Sequence, residues 1–138
     1  MRFRTPALSL GLQLQKMGQY FPNFRYYRER NIPTWRGTLK PLEFSPEYEI
    51  KISYHFDNQF SKRPQVWVVS PILVENAPHT YPDKSLCLYY PQDGTWTPHK
   101  FISTTVIPLT ALWLGFYDIW LRTGIWYGPE APHGDKKN

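Results

Sequence analysis

Cys87 is the single cysteine of this 138-residue chain and the side chain best suited to nucleophilic chemistry. A thiolate attacks a carbonyl carbon when it is accessible and when nearby donors stabilise the oxyanion that forms. Three polar residues, His79, Thr80 and Tyr81, precede the cysteine by a few positions. The alternative is structural, because a lone cysteine between two leucines is often a small buried hydrophobe. The residues alone leave both interpretations open.

Other kinds of site find little support in the sequence. A single cysteine excludes an intramolecular disulfide framework and a cysteine-based zinc cluster. His99 and His133 do not stand at a metal-ligand spacing from Asp, Glu or Cys residues, so no metal site is predicted. A glycine-rich phosphate loop and a GxSxG motif are both missing, so no cofactor is expected. His79 is expected to lock its loop by hydrogen bonds to the backbone. A signal peptide is not visible, which predicts a cytoplasmic protein.

The formal charge of +5 is concentrated in the first 40 residues, which hold eight of the sixteen basic residues and one of the eleven acidic ones. Part of this segment, NFRYYRERNIP at residues 23–33, interleaves Arg25, Arg28 and Arg30 with aromatic residues and follows no period. We interpret it as a connector. A basic surface of this kind suits an acidic partner, which charge alone does not identify.

The elements that must position these groups are two helices with strands and a long loop between them. Apolar residues at helical spacing predict the helices, and alternation of apolar and polar residues over 47–56 predicts a half-buried antiparallel strand. With 14 prolines in the chain, an all-helical fold is not expected. The predicted elements are a helix over 7–19 that begins at Thr5 and Pro6, strands over 35–39, 47–56 and 65–69, a loop over 71–98, and a helix past Phe101 to about Arg122, with Pro108 in its first turn and Gly124 as its stop.

The length predicts one domain over residues 1–138, with a loose polar tail from about residue 128. Residues 101–121 form an apolar stretch that is long enough to span a bilayer. Asp118 and Pro108 lower its apolarity, so a core helix is favoured and no membrane span is expected.

The order of these elements, together with three short motifs, resembles the ubiquitin-conjugating enzyme (UBC) family. The motifs are PHTY at 78–81, LCL at 86–88 and WTP at 96–98, where the family has His-Pro-Asn, Ile-Cys-Leu and Trp-x-Pro. The loop HTYPDKSLCLYYP and the helix ending in TGIWYG further resemble the small bacterial UBC-like proteins of cyclic-oligonucleotide (CBASS) anti-phage operons. The resemblance implies an α+β, UBC-like fold with an amino-terminal helix, an antiparallel β-meander, a long active-site loop and a carboxy-terminal helix.

The resemblance also implies a reaction at Cys87. In such a protein the cysteine forms a thioester with the carboxy terminus of a partner, here a cGAS/DncV-like nucleotidyltransferase or a ubiquitin-like donor, and passes the acyl group to an acceptor. His79 would brace the loop. Thr80, Tyr81 or a backbone amide would supply the oxyanion or loop support that the family obtains from its motif Asn, which is missing at that place here.

In a UBC-like protein the basic residues Arg25, Arg28 and Arg30 would dock an acidic partner. Two further interpretations remain beside the thioester enzyme. A catalytically silent UBC-like adaptor would keep that surface and lose the chemistry at Cys87. A small basic nucleic-acid-binding domain is a weaker alternative, and no nucleic acid is expected as a partner.

Overall fold

The computed structural model describes residues 7–56 and 63–129. Along the chain, one helix precedes and one helix follows a four-stranded antiparallel sheet. Each strand pairs with the next along the chain, in the order β1-β2-β3-β4. This arrangement confirms the mixed α+β class and the predicted meander between two helices. The elements are α1 Leu10–Tyr20, β1 Arg25–Glu29, β2 Ile32–Leu39, β3 Tyr48–Ser53, β4 Gln65–Ser70 and α2 Ile102–Thr123.

The first helix begins at Leu10, later than predicted, because Ser9 caps it by accepting a hydrogen bond from the Leu12 amide at 3.2 Å. The predicted start at Thr5 and Pro6 lies outside the described residues. The helix buries Gln13 as well as Met17.

The buried Gln13 amide joins the two helices. Its nitrogen donates to the Lys100 carbonyl at 3.0 Å, and its oxygen accepts from the Ile102 amide at 2.9 Å. Because Phe101, the N-cap residue of α2, makes no side-chain capping bond, Gln13 supplies an acceptor for the first turn of that helix.

The prediction of a connector over residues 23–33 is wrong, because this segment forms a β-hairpin. Strand β1 pairs with β2 from Arg25 opposite Arg36 to Glu29 opposite Ile32. The two turn residues, Arg30 and Asn31, both have positive φ values, 52° and 68°, as a tight two-residue hairpin turn requires. Strand β2 consequently begins at Ile32, before the predicted residue 35.

The two central strands agree with the alternating pattern. The predicted inner face of β3 is confirmed, since Tyr48, Ile50, Ile52 and the following Tyr54 are all buried in the core. The strand is shorter than the predicted range 47–56, and β4 extends one residue past the predicted range 65–69.

The second helix is the longest element, and much of its surface is buried in the core. The predicted end of the helix at Gly124 is confirmed. Gly124 adopts a left-handed φ of 78° and donates its amide hydrogen to the Trp120 carbonyl at 2.7 Å. Pro108 lies in the second turn, not the first. The helix tolerates it because Pro108 and Thr104, whose carbonyl loses its helical partner, are both exposed to water.

Within the described ranges, α2 is the one helix that is long and apolar enough to cross a membrane, with a mean hydropathy of 1.3 over its best window. The fold buries 56% of that window. Buried residues along α2 include the polar Ser103, Thr110 and Asp118. These properties are typical of the core helix of a globular domain, and no membrane is indicated.

Candidate thiol site

Cys87 lies in the long segment between β4 and α2, and main-chain hydrogen bonds hold that segment against the sheet. Thr80 and Leu86 form an isolated β-bridge, and the Leu86 amide donates to the Val66 carbonyl of β4 at 2.9 Å. Leu86 is buried in the core. Because neighbouring side chains of an extended segment point to opposite sides, the buried Leu86 turns the Cys87 side chain outward, and Cys87 is partly exposed.

His79 fixes the position of the cysteine through its carbonyl group. This carbonyl accepts from the Cys87 amide at 2.9 Å and from the indole nitrogen of Trp113 on α2 at 3.1 Å. The residue adopts a positive φ of 58°, which is uncommon for a non-glycine residue. The imidazole lies against the Trp126 ring, with 4.8 Å between ring centroids.

Of the two polar residues expected to support the site, Tyr81 is the one that the structure brings to the cysteine. Its hydroxyl group lies close enough to the Cys87 side chain to interact with it. Burial raises the pKa of Tyr81, and the charge of the nearby thiolate raises it further. The Arg63 guanidinium lies over the Tyr81 ring, 4.6 Å from its centroid, and opposes that shift. The Thr80 hydroxyl donates to the Ala77 carbonyl at 3.4 Å.

Cys87 lines a cavity of about 240 Å³ that also borders α2. Its lining is mostly apolar, with Asp93 as its one carboxylate. The cavity is smaller than the ~300–1,000 Å³ of pockets that hold drug-sized ligands, so it suits a short piece of chain. Its walls are formed by Leu109, Leu112, Trp113 and Phe116 of α2, by Tyr89 and Tyr90 of the loop, and by Trp126.

No sequence pattern predicts Trp126 as a site residue, because the segment after Gly124 falls outside every predicted element. The segment folds back over α2, and the indole ring lies 5.5 Å from Trp113 and 5.8 Å from Phe116 between centroids. Gly128 allows this close approach, since a Cβ atom there would lie 2.6 Å from the Phe116 ring. The tail predicted to be loose from about residue 128 therefore packs at Gly128, and residues 130–138 lie outside the described part. The TGIWYG motif was the available signal.

The structure does not bring the three basic residues of the hairpin to the thiol site. Arg25, Arg28 and Arg30 are exposed on β1 and its turn. Strand β1 is the edge of the sheet opposite to β4, to which the Cys87 loop is bonded. The Arg28 guanidinium donates to the Asn31 carbonyl at 2.9 Å across the turn.

A second polar cluster lies farther along α2. Asp118 is 5% exposed, and its carboxyl oxygens accept hydrogen bonds from Ser45, at 2.5 Å, and from the Tyr48 hydroxyl. Burial raises the pKa of Tyr48, and the Asp118 carboxylate raises it further. Over residues 7–56 and 63–129, three or more His, Cys, Asp or Glu side chains nowhere gather closely enough to hold a metal ion.

Comparison with known proteins agrees with the resemblance in the sequence. No curated protein matches the chain. The family model E2-CBASS, described as Type II CBASS E2 protein, matches residues 13–134. This range contains the sheet, both sides of the cavity, Cys87 and Trp126. Since the match covers most of the sequence, the chain belongs to the E2-CBASS family of Type II CBASS E2 proteins.

Proposed function

We propose that the protein is an acyl carrier in which Cys87 forms a thioester with the carboxy terminus of a partner protein. Membership of an E2 family supports a conjugating-enzyme-like role. The observation that carries the proposal is the setting of the cysteine, which is partly exposed, lines a mostly apolar cavity and lies near the Tyr81 hydroxyl. A purely structural cysteine would be buried and would border no cavity.

The reaction needs an activated carboxy-terminal acyl group. The Cys87 thiolate attacks the carbonyl carbon, the bond to the leaving group breaks in the tetrahedral intermediate, and the thioester remains on the sulfur. A later attack by an amine or a thiol repeats these steps and releases the Cys87 thiolate. Each intermediate carries a negative oxygen that needs a hydrogen-bond donor.

The hydrogen bonds of the loop favour Tyr81 as that donor. The amide of Cys87 itself donates to the His79 carbonyl, and the amide of Leu86 donates to Val66, so both are occupied. The Tyr81 hydroxyl lies near the Cys87 side chain and stays protonated at neutral pH, because its pKa is raised from a value that is already near 10. His79 acts as a positioning residue through its carbonyl.

The acyl donor that we propose is a cGAS/DncV-like nucleotidyltransferase of the same operon, because CBASS membership implies partners in the operon. The exposed residues Arg25, Arg28 and Arg30 would dock an acidic surface of that partner and steer its approach. The docking surface lies on the sheet edge away from Cys87, so it leaves access to the thiol open.

Intact mass analysis tests the thioester directly. The wild-type protein and Cys87→Ser are each co-expressed with the neighbouring genes of the operon and measured with and without a thiol reductant. We expect a reductant-sensitive adduct on the wild type and a stable ester on the serine variant, with a mass that identifies the donor. Absence of both adducts, with folded protein and soluble neighbours, contradicts the proposal.

A charge reversal tests the docking surface separately. Replacing Arg25, Arg28 and Arg30 by glutamate should slow the loading of Cys87 by the full-length partner. The difference in loading rate from the wild type should become smaller at high salt. A matched reversal at Lys84, Lys100 and Arg122, which are also exposed, is the control. Equal loading by the two triple variants contradicts this docking surface and leaves the thioester proposal standing.

The second candidate is a catalytically silent adaptor, and one observation favours it. Thr80 and Tyr81 stand where the related UBC motif has Asn. The adaptor predicts that iodoacetamide fails to alkylate Cys87 in the folded protein and alkylates it after denaturation. The thioester enzyme predicts alkylation of the folded protein.

A further inference from the structure

We propose that the cavity beside Cys87 binds a bulky apolar side chain of the donor's carboxy-terminal segment and thereby selects the acyl donor. This inference rests on the proposed thioester function. It names a chemical class of donor: a tail with a leucine-like or phenylalanine-like residue within a few positions of its terminal carbonyl, and without an acidic residue there.

The covalent step fixes where the donor tail must lie. The terminal carbonyl carbon bonds to the Cys87 sulfur, and each extended residue spans at most about 3.6 Å, so the two or three preceding residues stay next to the thiol. The described cavity that contacts Cys87 has a volume of about 240 Å³. That volume accommodates one or two side chains and does not accommodate a folded domain.

The lining decides which side chains bind. Leu112 is 56% exposed although it lines the cavity, so apolar surface is open to the incoming chain there. Phe116 and Trp126 form an aromatic wall, and their rings are 5.8 Å apart. Asp93 is the one charged residue of the lining, and it disfavours an acidic side chain in the tail.

Trp126 gives the cavity its wall on the carboxy-terminal side. The ring is held between His79 and the α2 residues Trp113 and Phe116. It therefore contacts the residue that positions Cys87 as well as the cavity, and a side chain bound against it lies close to the thiol. Truncation to Trp126→Ala should enlarge the cavity and reduce the selection.

Peptide thioesters test the inference without a protein partner. The probes are N-acetylated X-Gly-Gly and Gly-X-Gly thioesters with X as Leu, Phe, Gly, Lys or Glu, and intact mass follows the transfer to Cys87. The Cys87 thiolate displaces the leaving thiolate, which takes a proton from water, so the step needs no oxidant. We expect the Leu and Phe probes to load about tenfold faster than Gly, and Glu to load most slowly.

Two leucines of α2 provide a matched pair of variants. Leu112→Glu places a carboxylate in the cavity and should remove the preference for Leu over Gly while favouring Lys. Leu121 is 49% exposed on the same helix and does not line this cavity, so Leu121→Glu should keep the wild-type preference. Comparing rates as ratios to the Gly probe separates selection from general effects on the thiol.

The outcomes distinguish the two proposals. Loading of all probes at equal rates, or equal loss of preference in Leu112→Glu and Leu121→Glu, overturns the cavity inference and leaves the thioester function standing. Failure of every probe to load a folded protein whose Cys87 is alkylated by iodoacetamide overturns both.

Discussion

The two polar clusters along α2 differ in how completely their groups are paired. Near the carboxy-terminal end, Asp118 is buried and accepts from Ser45 and Tyr48, and Tyr117 accepts from the Val74 amide at 2.9 Å. Toward the other end, the same helix holds the His79 carbonyl through Trp113 and borders the partly exposed Cys87. Both clusters border a cavity, but the carboxylate of the first is buried and paired with two hydroxyl groups, whereas the second places a partly exposed thiol against its cavity.

This difference separates a structural role from a chemical one. The Asp118 cluster places its hydrogen bonds where water does not compete, so it contributes to stability. At the thiol end, the Tyr89 hydroxyl and the Trp126 indole nitrogen are buried without a partner among the described residues. Unpaired buried donors reduce stability, so these groups contribute less to the fold than the paired Asp118 cluster does. Changes at Asp118 should therefore alter folding, and changes around Cys87 should alter reactivity.

The largest expected effect is the loss of stability in Asp118→Ala. The substitution leaves the Ser45 and Tyr48 hydroxyl groups buried without their acceptor, at about 1–3 kcal/mol each. We expect the free energy of unfolding to fall by about 3 kcal/mol in urea titrations, while Cys87 alkylation per folded molecule stays unchanged.

Asp83→Ala is the matched control for this prediction. Asp83 also accepts hydrogen bonds, from the Ser85 amide and hydroxyl and from Gln65, but it is exposed to water. Its removal leaves one buried hydroxyl residue, Ser85, without its acceptor where Asp118→Ala leaves two, and Gln65 turns to water, so we expect a cost of about 1–2 kcal/mol. Equal costs for the two aspartates would contradict the distinction between the clusters.

The sequence predicts the elements whose signal is local. Strand β3 follows from the alternation of Tyr48, Ile50 and Ile52, and the end of α2 follows from Gly124. The sequence does not predict strand β1 for two reasons. Its edge position leaves Arg25 and Arg28 exposed among aromatic residues, so apolar and polar residues do not alternate there. Arg30 is also an unusual residue in a left-handed turn, so the hairpin lacks the usual turn signal.

The thiol site is only partly predictable because its contacts are long-range. Cys87, His79 and Tyr81 lie within a short stretch, so the motif identifies them. Trp126 reaches His79 only after α2 has crossed the molecule, and no spacing in the sequence encodes that contact. Asp118 likewise meets Tyr48 across 70 positions of the chain.

The second-largest effect should follow from Gly128→Ala. An added methyl group would lie 2.6 Å from Phe116 and 2.9 Å from the Trp126 indole nitrogen, so the segment that carries Trp126 must shift. Overpacking of this kind costs about 1–3 kcal/mol. We expect about 2 kcal/mol in urea titrations, together with a changed alkylation rate at Cys87.

Gly18→Ala is the control, since a Cβ atom at that position of α1 meets nothing within 4 Å. Alanine there should stabilise the helix by about 0.5–1 kcal/mol. A Gly128→Ala protein as stable as the wild type would contradict the packing role of Gly128.

Alkaline pH should destabilise the protein through Tyr48. Burial and the Asp118 carboxylate raise the pKa of this phenol above its unfolded value near 10. The unfolded state then loses its proton first, so the stability is present below pH 10 and is lost as pH rises further, by up to about 1.4 kcal/mol per pH unit.

Urea titrations between pH 9 and 11 measure this loss. Tyr48→Phe should reduce the loss of unfolding free energy per pH unit. Ser45→Ala should lower the free energy at every pH and keep that loss, because serine carries no phenol. An unchanged loss per pH unit in Tyr48→Phe would contradict the attribution of this pH dependence to Tyr48.

The smallest expected effect is at the thiol end, in Tyr81→Phe. The Tyr81 hydroxyl lies near the Cys87 side chain, and we expect it to donate to the sulfur and so to stabilise the thiolate that alkylation and loading both require. One hydrogen bond of ~0.5–1.5 kcal/mol corresponds to about a threefold fall in the iodoacetamide rate at pH 7. Tyr20→Phe is the matched control, because Tyr20 is exposed on α1 and does not line the cavity, so its change should leave that rate unchanged. Equal rates for the two variants would mean that the Tyr81 hydroxyl braces the loop, as the Ser45 hydroxyl does beside Asp118, and takes no part in the chemistry of Cys87.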